Sequence, residues 1–345
     1  MPLTRDSARM VQYLTRRLIG LVFVLLGMTV VMFVIVRLIP GDPVRAVLGY
    51  DATTEMVEAF RAHYGLDRPV HVQYLAFLSG LLRGDMGRST TSGAPVVRDL
   101  ATYLPATVEL ATASVVISIL LGFPLGVLAA INRGGLVDRL ATTASLVFIA
   151  TPVFWFGLLL QLVFYRVLGW LPYGGRIGDL PPEFASHTGL LVIDALLNGD
   201  LRVLWDALSH LLLPAFSLSA LLIASVARTT RMSLGQSLSE LYVQTARSKG
   251  LARRVVVFKH ALRNALVPIV TVVGLRIGEL LGGAVITETI FQWPGIGSYA
   301  VRAISHLDTS AILGFSIVAV TAYALINLVV DVAYMFLDPR IGTRS

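Results

Sequence analysis

Long apolar stretches recur along the chain, with polar connections of varying length between them. A helix that crosses about 30 Å of hydrocarbon at 1.5 Å per residue needs about 20 mainly apolar residues. Six stretches meet this length: residues 17–39, 105–131, 140–168, 208–227, 266–290 and 311–336. The pattern therefore predicts an all-α integral membrane protein with six transmembrane helices.

The first apolar stretch shares one feature with a secretory signal, because Arg16 and Arg17 precede it. It continues for about twenty residues to Arg37, ends in RLIPGDP without a small-residue cleavage site, and is too long for the core of a signal peptide. We therefore predict that it is retained as the first span.

Two further apolar runs are too short, or too often interrupted by charged residues, to span the membrane. Residues 73–82 provide only about ten positions, and residues 190–208 are interrupted by three aspartates. Both are predicted to be amphipathic helices outside the bilayer. Together with a helix around residues 53–63, the run at 73–82 could receive an external partner or simply cap the bundle.

Basic residues are distributed unevenly over the two sides of the predicted bundle. Short cytoplasmic loops of membrane proteins carry the excess of Lys and Arg. With the N-terminus inside, the inner segments hold sixteen basic residues against four acidic ones. The other side holds eleven basic residues, and seven of them fall before the second span in a segment too long to weigh heavily. Both termini are therefore predicted to be cytoplasmic.

These spans define the expected organisation of the chain. Residues 1–16 form a cytoplasmic N-terminus, 17–39 the first span, and 40–104 an external segment with short amphipathic helices. Residues 105–345 form the core, with spans two to six and one long cytoplasmic loop at about 233–265.

Composition agrees with a membrane protein and excludes several classes of function. Apolar residues make up 55% of the chain, charged residues only 14%, and the mean hydropathy is +0.75. Because cysteine is absent, disulfides, thiolate metal sites and a cysteine nucleophile are excluded, and the six histidines are too far apart for a short zinc motif. The net charge of +7 fits cytoplasmic loops and anionic lipid better than nucleic acid.

The cytoplasmic loop is the most basic part of the chain, with eight basic residues in and around it. Its centre, TARSKGLA, places Ala246 and Gly250 on one helical face, and Gly250 could end the helix. We call residues 246–254 the knuckle. It would suit insertion into a groove on a cytoplasmic partner, with Arg253 and Arg254 at its rim. The alternative is a basic loop that lies on anionic lipid headgroups.

The fifth predicted span combines a glycine stripe with two charged residues. Gly274, Gly278 and Gly282 recur every four residues, which favours close helix packing over a direct role in substrate binding. Arg276 and Glu279 lie on the other side of the same helix. Since an ionised group at the bilayer centre costs about 2.5–3.5 kcal/mol, both should face protein or water. We expect one of two roles for this pair. Arg276 and Glu279 line a translocation path, or they form an ion pair with each other that fixes the rotation of the helix.

Other polar or helix-breaking residues within the spans give weaker signals. Glu109, Glu288 and Asp331 are expected to make contacts at helix ends or between helices rather than to take part in transport. Three prolines are expected to interrupt spans two, three and four, namely Pro124, Pro152 and Pro214.

Seven groups of motifs follow one another along nearly the whole chain. They are RLIPGDP, YGLDRPV with RGDMGRS, LPATVELA with GFPLGVLAA, PVFWFGLLL, QTARSKG with HALRNALVP, ETIFQWPGIG and NLVVDVAYMFLDPRIG. In this order they resemble the permease subunits of ABC importers, in the dipeptide, oligopeptide and nickel permease family. QTARSKG with HALRNALVP resembles the EAA loop of these permeases, although Gln244 and Thr245 stand in place of Glu and Ala, and His260 in place of Ile.

The resemblance implies a type I ABC importer permease-like fold that forms half of a translocation pathway for peptides or a related small solute. It also implies that the cytoplasmic loop couples to an ATPase through Gln244, Ala246, Gly250, Leu251, Arg253 and Arg254. No catalytic residue, metal or cofactor is expected in this chain, which has no GxxxxGK[ST] phosphate loop. ATP and magnesium would be bound by partner subunits.

The implied partners are a second homologous permease subunit, two cytoplasmic ATP-binding subunits, an extracytoplasmic substrate-binding protein and membrane lipid, with no nucleic acid. The expected location is the inner membrane of a prokaryote. An ion-gradient-driven secondary transporter is the alternative. It would need a second homologous half or intramembrane acids as coupling sites, for which only Glu279 and Asp331 are available.

Overall fold

The computed structural model describes residues 3–38, 44, 48, 51–63 and 65–337, and the main elements of this part are helices joined by loops. The helices are α1 (Leu3–Leu38), α2 (Thr54–His63), α3 (Val70–Leu82), α4 (Val96–Ile131), α5 (Leu136–Ala150), α6 (Val153–Leu160, continuing as a π-helix over Gln161–Val167), α7 (Leu191–Asn198), α8 (Leu201–Ser239), α9 (Leu241–Ser248), α10 (Arg253–Val255, a π-helix over Val256–Ala261, then Leu262–Ile290), α11 (Ile296–Ser305) and α12 (Thr309–Leu337).

Five stretches within these helices are long and apolar enough to cross a membrane. They are Thr15–Ile35, Val96–Ile131, Leu201–Ser239, Arg253–Gly278 and Thr309–Val330. A sixth is obtained when α5 and α6 are counted as one broken span. The predicted all-helical membrane fold is confirmed, and six spans agree with it.

The third predicted span is not the single helix expected over residues 140–168. Its two halves, α5 and α6, meet at an angle of 105°. Thr151 is extended, with φ −88° and ψ 121°, because the ring of Pro152 disfavours a helical conformation in the residue before it. Pro152 then begins the next helix, where its missing N–H is not needed.

The other two spans predicted to be interrupted by proline are continuous helices. Pro124 lies within α4 and Pro214 within α8, and both helices run through them. At 1.5 Å per residue, the 39 residues of α8 extend ~58 Å. This length exceeds the ~30 Å hydrocarbon layer, so α8 is much longer than the predicted span at 208–227.

The chain divides into two compact units, one of residues 1–105 with 294–325 and one of residues 106–293 with 326–345. The division after residue 105 lies next to the domain boundary expected from sequence, but residues 294–325 belong with the first unit. The first unit packs around Phe33, Val96, Leu100, Tyr299 and Ile312.

In the first unit, a buried aspartate joins the loop between α3 and α4 to the start of a helix. Asp308 precedes α12 and accepts hydrogen bonds from Ser89 Oγ at 2.6 Å and from the backbone N–H groups of Thr91 and Ala311. The motif RGDMGRS thus ends in a packed turn.

Burial raises the pKa of the Tyr299 hydroxyl, and the neighbouring Asp99 and Asp308 carboxylates raise it further.

The second unit is built around α8, whose middle is buried on nearly all sides. One cluster joins α4, α8 and α10 through Leu110, Leu222 and Leu280. The amphipathic run predicted at 190–208 is divided here, because Gly199 adopts φ +68° after α7 and Asp200 caps α8 through the N–H groups of Arg202 and Val203.

Candidate functional site

The cytoplasmic loop predicted at 233–265 is mostly helical. Helix α9 ends in a Schellman motif, in which the N–H of Gly250 donates to the Arg247 carbonyl at 2.9 Å and that of Leu251 donates to the Ala246 carbonyl at 3.4 Å. Gly250 has φ +74°, a conformation that favours glycine. The prediction that Gly250 ends a helix is confirmed, and the chain turns sharply into α10.

The inner face of α9 packs into the second unit. Val243 is fully buried and Ala246 only 7% exposed, in a cluster with Val127 of α4, Leu234 of α8 and Val256 of α10. The small side chain of Ala246 therefore permits close packing within this chain. The face of α9 that carries Ala246 points inward, and the role of Ala246 in coupling to an ATPase stays a prediction.

The outer face of α9 and the knuckle is exposed and mixes apolar with basic groups. Leu241 is 77% exposed, and Tyr242 and Leu251 are also exposed. Gln244 is exposed and its side-chain amide donates to the Ser239 carbonyl at 3.1 Å, which covers the end of α8. Arg254, three residues after Leu251, is also exposed.

Arg253 does not simply stand at the rim of the knuckle. Its guanidinium donates to the carbonyl of Ile131, the last residue of α4, at 3.2 Å. A cation is favourable at a helix C-terminus, where unpaired carbonyls carry partial negative charge. Arg253 therefore ties the start of α10 to the end of α4.

A second tie joins the first turn of α5 to α8. Asp138, 4% exposed, receives two hydrogen bonds from the Arg231 guanidinium, one from Nε to Oδ1 and one from Nη2 to Oδ2 at 2.9 Å. It also accepts the N–H of Gly134 at 2.8 Å. Sequence reasoning used both residues only as charges for orientation, because nothing in a single sequence pairs positions 93 residues apart.

Close helix contacts are made by the two glycines of the motif GFPLGVLAA, Gly122 and Gly126. A Cβ on Gly122 would lie 2.7 Å from the Ile223 carbonyl oxygen, and one on Gly126 would lie 2.5 Å from that of Ala227. These distances are too short for a side chain, so α4 and α8 are in backbone contact. The spacing GFPLG, with glycines four apart, was the signal that could have predicted it.

The glycine stripe of the fifth span makes at least one such contact. A Cβ on Gly274 would lie 2.5 Å from a methyl group of Val330 in α12, and Gly278 is also buried. The surroundings of Gly282 and the side chain of Glu279 are not described by the structure. Arg276 is partly exposed. The assignment of Arg276 and Glu279 to a translocation path remains a prediction.

Polar groups at the other end of the second unit form contacts within the chain. Glu109 receives Nε of Arg176 at 2.8 Å and the N–H of Val192, in the first turn of α7, at 2.7 Å. Glu288 is buried and accepts the Thr107 hydroxyl at 2.6 Å. The contacts expected for Glu109 and Glu288 are thus observed, whereas the side chain of Asp331 lies outside the described residues.

Asp194 of α7 organises the loop before that helix. It accepts the hydroxyls of Thr188 and Ser186 and the N–H groups of Thr188 and Gly189, at 2.7–3.0 Å. Burial by itself would raise the pKa of this carboxyl, but the hydrogen bonds from Thr188, Ser186 and Gly189 lower it to about 2. Asp194 is ionised at all physiological pH values and has a structural role.

Comparison with known proteins identifies the family. The family model described as "Binding-protein-dependent transport system inner membrane component" matches residues 122–343, and the model of its N-terminal domain matches residues 10–111. The chain belongs to this family. It is the permease subunit of an ABC importer, which favours the leading hypothesis over an ion-gradient-driven secondary transporter.

Relatives match this permease over nearly their whole lengths. The probable D,D-dipeptide transport system permease protein of Escherichia coli is 44% identical, over 95% of this chain and 97% of the relative. The dipeptide transport system permease protein of Alkalihalophilus pseudofirmus is 41% identical, over 96% and 99%. The glutathione transport system permease protein of Salmonella paratyphi A is 36% identical, over 96% and 99%.

Family membership also gives the setting of the permease. It is a multi-pass membrane protein of a bacterial transport system that has partner subunits. Within such a system the permease is not itself the catalytic component.

Proposed function

We propose that this permease imports short peptides, with a second permease subunit, two ATP-binding subunits and an extracytoplasmic binding protein. ATP and magnesium belong to the ATP-binding subunits in this proposal. Both termini and the knuckle face the cytoplasm, as the excess of basic residues around the knuckle indicates. The substrate class is supported by relatives whose names specify dipeptide transport, at 38–44% identity.

The observation that carries the proposal is the two-faced packing of α9. Val243 and Ala246 hold this helix against α4, α8 and α10, while Leu241 and Leu251 are left exposed. A cytoplasmic ATP-binding subunit that covered these leucines would bury apolar area, and the neighbouring Arg254 would face its surface. Gln244, Leu251 and Arg254 are the contact residues in this proposal; Gly250 and Arg253 act by shaping and holding the knuckle.

Force on the knuckle would reach the spans through defined connections. Helix α8 continues from the external end to Ser239, directly before α9, and Arg253 holds the end of α4. A packed helix of this length moves as a rigid element, so closure of the ATP-binding subunits would tilt α8 and α4 together. Arg276 and Glu279 are proposed to line the path that this movement opens.

The coupling proposal is tested by a matched pair of variants in the complete importer. Leu241→Glu places a charge on the proposed interface, and Leu201→Glu places one at the other end of α8, where the leucine is equally exposed, 75% against 77%. Because burying an unpaired carboxylate is costly, we expect Leu241→Glu to reduce binding of the ATP-binding subunits about tenfold or more. Leu201→Glu should leave binding unchanged.

Binding is measured as the amount of ATP-binding subunit that co-purifies with the permease, and coupling as dipeptide uptake into proteoliposomes. Equal behaviour of the two variants would contradict the assigned interface. Failure of the unmodified importer to take up any short peptide, with ATP hydrolysis intact, would contradict the substrate class alone.

A further inference from the structure

A groove lies beside the contact between α4 and α8, on the side where α5 packs. It has a cavity volume of about 140 Å³. Its floor is made of small buried residues, Gly126, Ala141 and Ser145. Its rim is made of exposed apolar side chains, among them Leu146 and Ile149.

The apolar surface continues from this rim along α5. Leu140 and Val147 are 60% and 56% exposed, and neither is covered by another part of the described chain. Single exposed leucines need no explanation, but a contiguous apolar strip on a membrane helix is the surface that contacts hydrocarbon. The groove therefore opens onto the region that lipid acyl chains occupy.

One end of the groove is basic. Arg228 and Arg231 line it, and the charge of Arg231 is offset by Asp138. Arg228 is exposed, and within the described residues it forms no ion pair. Arg139, also exposed, lies three residues before the lining residue Thr142 on the same face of α5.

We propose that this groove is a binding site for one anionic phospholipid. An acyl chain fills the apolar groove, and the phosphate lies between Arg228 of α8 and Arg139 of α5. Guanidinium groups form strong charge-assisted hydrogen bonds with phosphate, and basic pockets between membrane helices bind anionic headgroups. The site sits where α5 meets α8 and where Asp138 joins the same two helices, so the lipid would stabilise that junction.

The test uses the absence of cysteine from this chain. A fluorescent label on Thr142→Cys, in the complete importer with cysteine-free partner subunits, reports lipid in the groove through quenching by brominated acyl chains. Nanodiscs contain either brominated phosphatidylglycerol in unlabelled phosphatidylcholine or the reverse. Because each basic residue near a membrane surface contributes about a fivefold preference for anionic lipid, we expect phosphatidylglycerol to quench at roughly fivefold lower mole fraction or better.

Two arginine variants on the same helix provide the comparison. Arg228→Gln should reduce the preference for phosphatidylglycerol about fivefold, whereas Arg202→Gln, at the other end of α8, should leave it unchanged. Equal quenching by both lipids would overturn the proposal, since the groove would then hold bulk lipid. Quenching by neither lipid would also overturn it, because a partner subunit would then cover the groove.

Discussion

Replacement of Gly126 by alanine should separate α4 from α8. The new Cβ would lie 2.5 Å from the Ala227 carbonyl oxygen and 2.6 Å from Cβ of Thr230. Side chains rarely approach closer than about 3 Å, and both neighbours belong to a buried helix that cannot rotate away. The two helices must therefore move apart by about 0.5 Å or more.

The size of the effect follows from comparison with Gly235→Ala in α8. At Gly235 the nearest atom to a new Cβ is 4.0 Å away, so alanine fits without strain. Both changes gain the same helix propensity, about 1 kcal/mol in water, and this gain cancels in the comparison. The remaining difference is the cost of overpacking, about 1–3 kcal/mol, with Gly126→Ala the less stable variant.

The assay is unfolding of the purified permease in mixed micelles by increasing SDS, followed by tryptophan fluorescence. The unfolding curves should have equal slopes. The SDS concentration at the midpoint should be lower for Gly126→Ala than for the unmodified chain, and equal or higher for Gly235→Ala. If the two variants unfold at the same midpoint, or in the reverse order, then the backbone contact between α4 and α8 is not present in the membrane.

Three further changes test other contacts. Asp138→Ala leaves the Arg231 guanidinium without its carboxylate and should cost about 1–3 kcal/mol in the same assay, while the swapped pair Asp138→Arg with Arg231→Asp should recover part of it. Gly250→Ala forces alanine to φ +74° and should destabilise the end of α9 by about 1–2 kcal/mol, seen as faster hydrogen exchange in residues 241–251, with Gly250→Asn less affected. Asp194→Asn should destabilise the permease at neutral pH. The stabilisation by the carboxylate is complete above its unfolded pKa of 3.8 and is lost as the pH falls towards about 2. The stabilities of the two proteins should therefore become equal only below pH 4. A gap that stays constant down to pH 2 would contradict this role.

The positions of the spans could be predicted from the sequence because the bilayer imposes a length that is visible in a single sequence. The apolar stretches at 105–131 and 311–336 fall within α4 and α12. Gly250 was likewise predictable, since a C-terminal glycine acts through local backbone geometry. The bend at Pro152 was predictable as an interruption, but Pro124 and Pro214 carry the same local signal and break no helix.

The direction in which individual side chains point could not be predicted from the sequence. The sequence placed Ala246 and Gly250 on one helical face, and in the structure Ala246 lies in the cluster with Val243 and Leu234. The periodicity of a helix indicates which residues share a face, but not whether that face points to a partner or to the chain's own helices. Arg253 and Ile131 illustrate the same limit, because a contact across 122 residues depends on how the helices are stacked.

The sequence alone determined that this protein is a bundle of membrane helices with a basic turn between two of them, because hydrophobic length, charge bias and turn glycines are local properties of the chain. Only the tertiary structure decided that Asp138 pairs with Arg231, that Gly126 brings α4 onto α8, and that α9 exposes Leu241 while burying Ala246. These pairings depend on the relative placement of distant segments, and that placement is set by packing in three dimensions, which no single stretch of residues encodes.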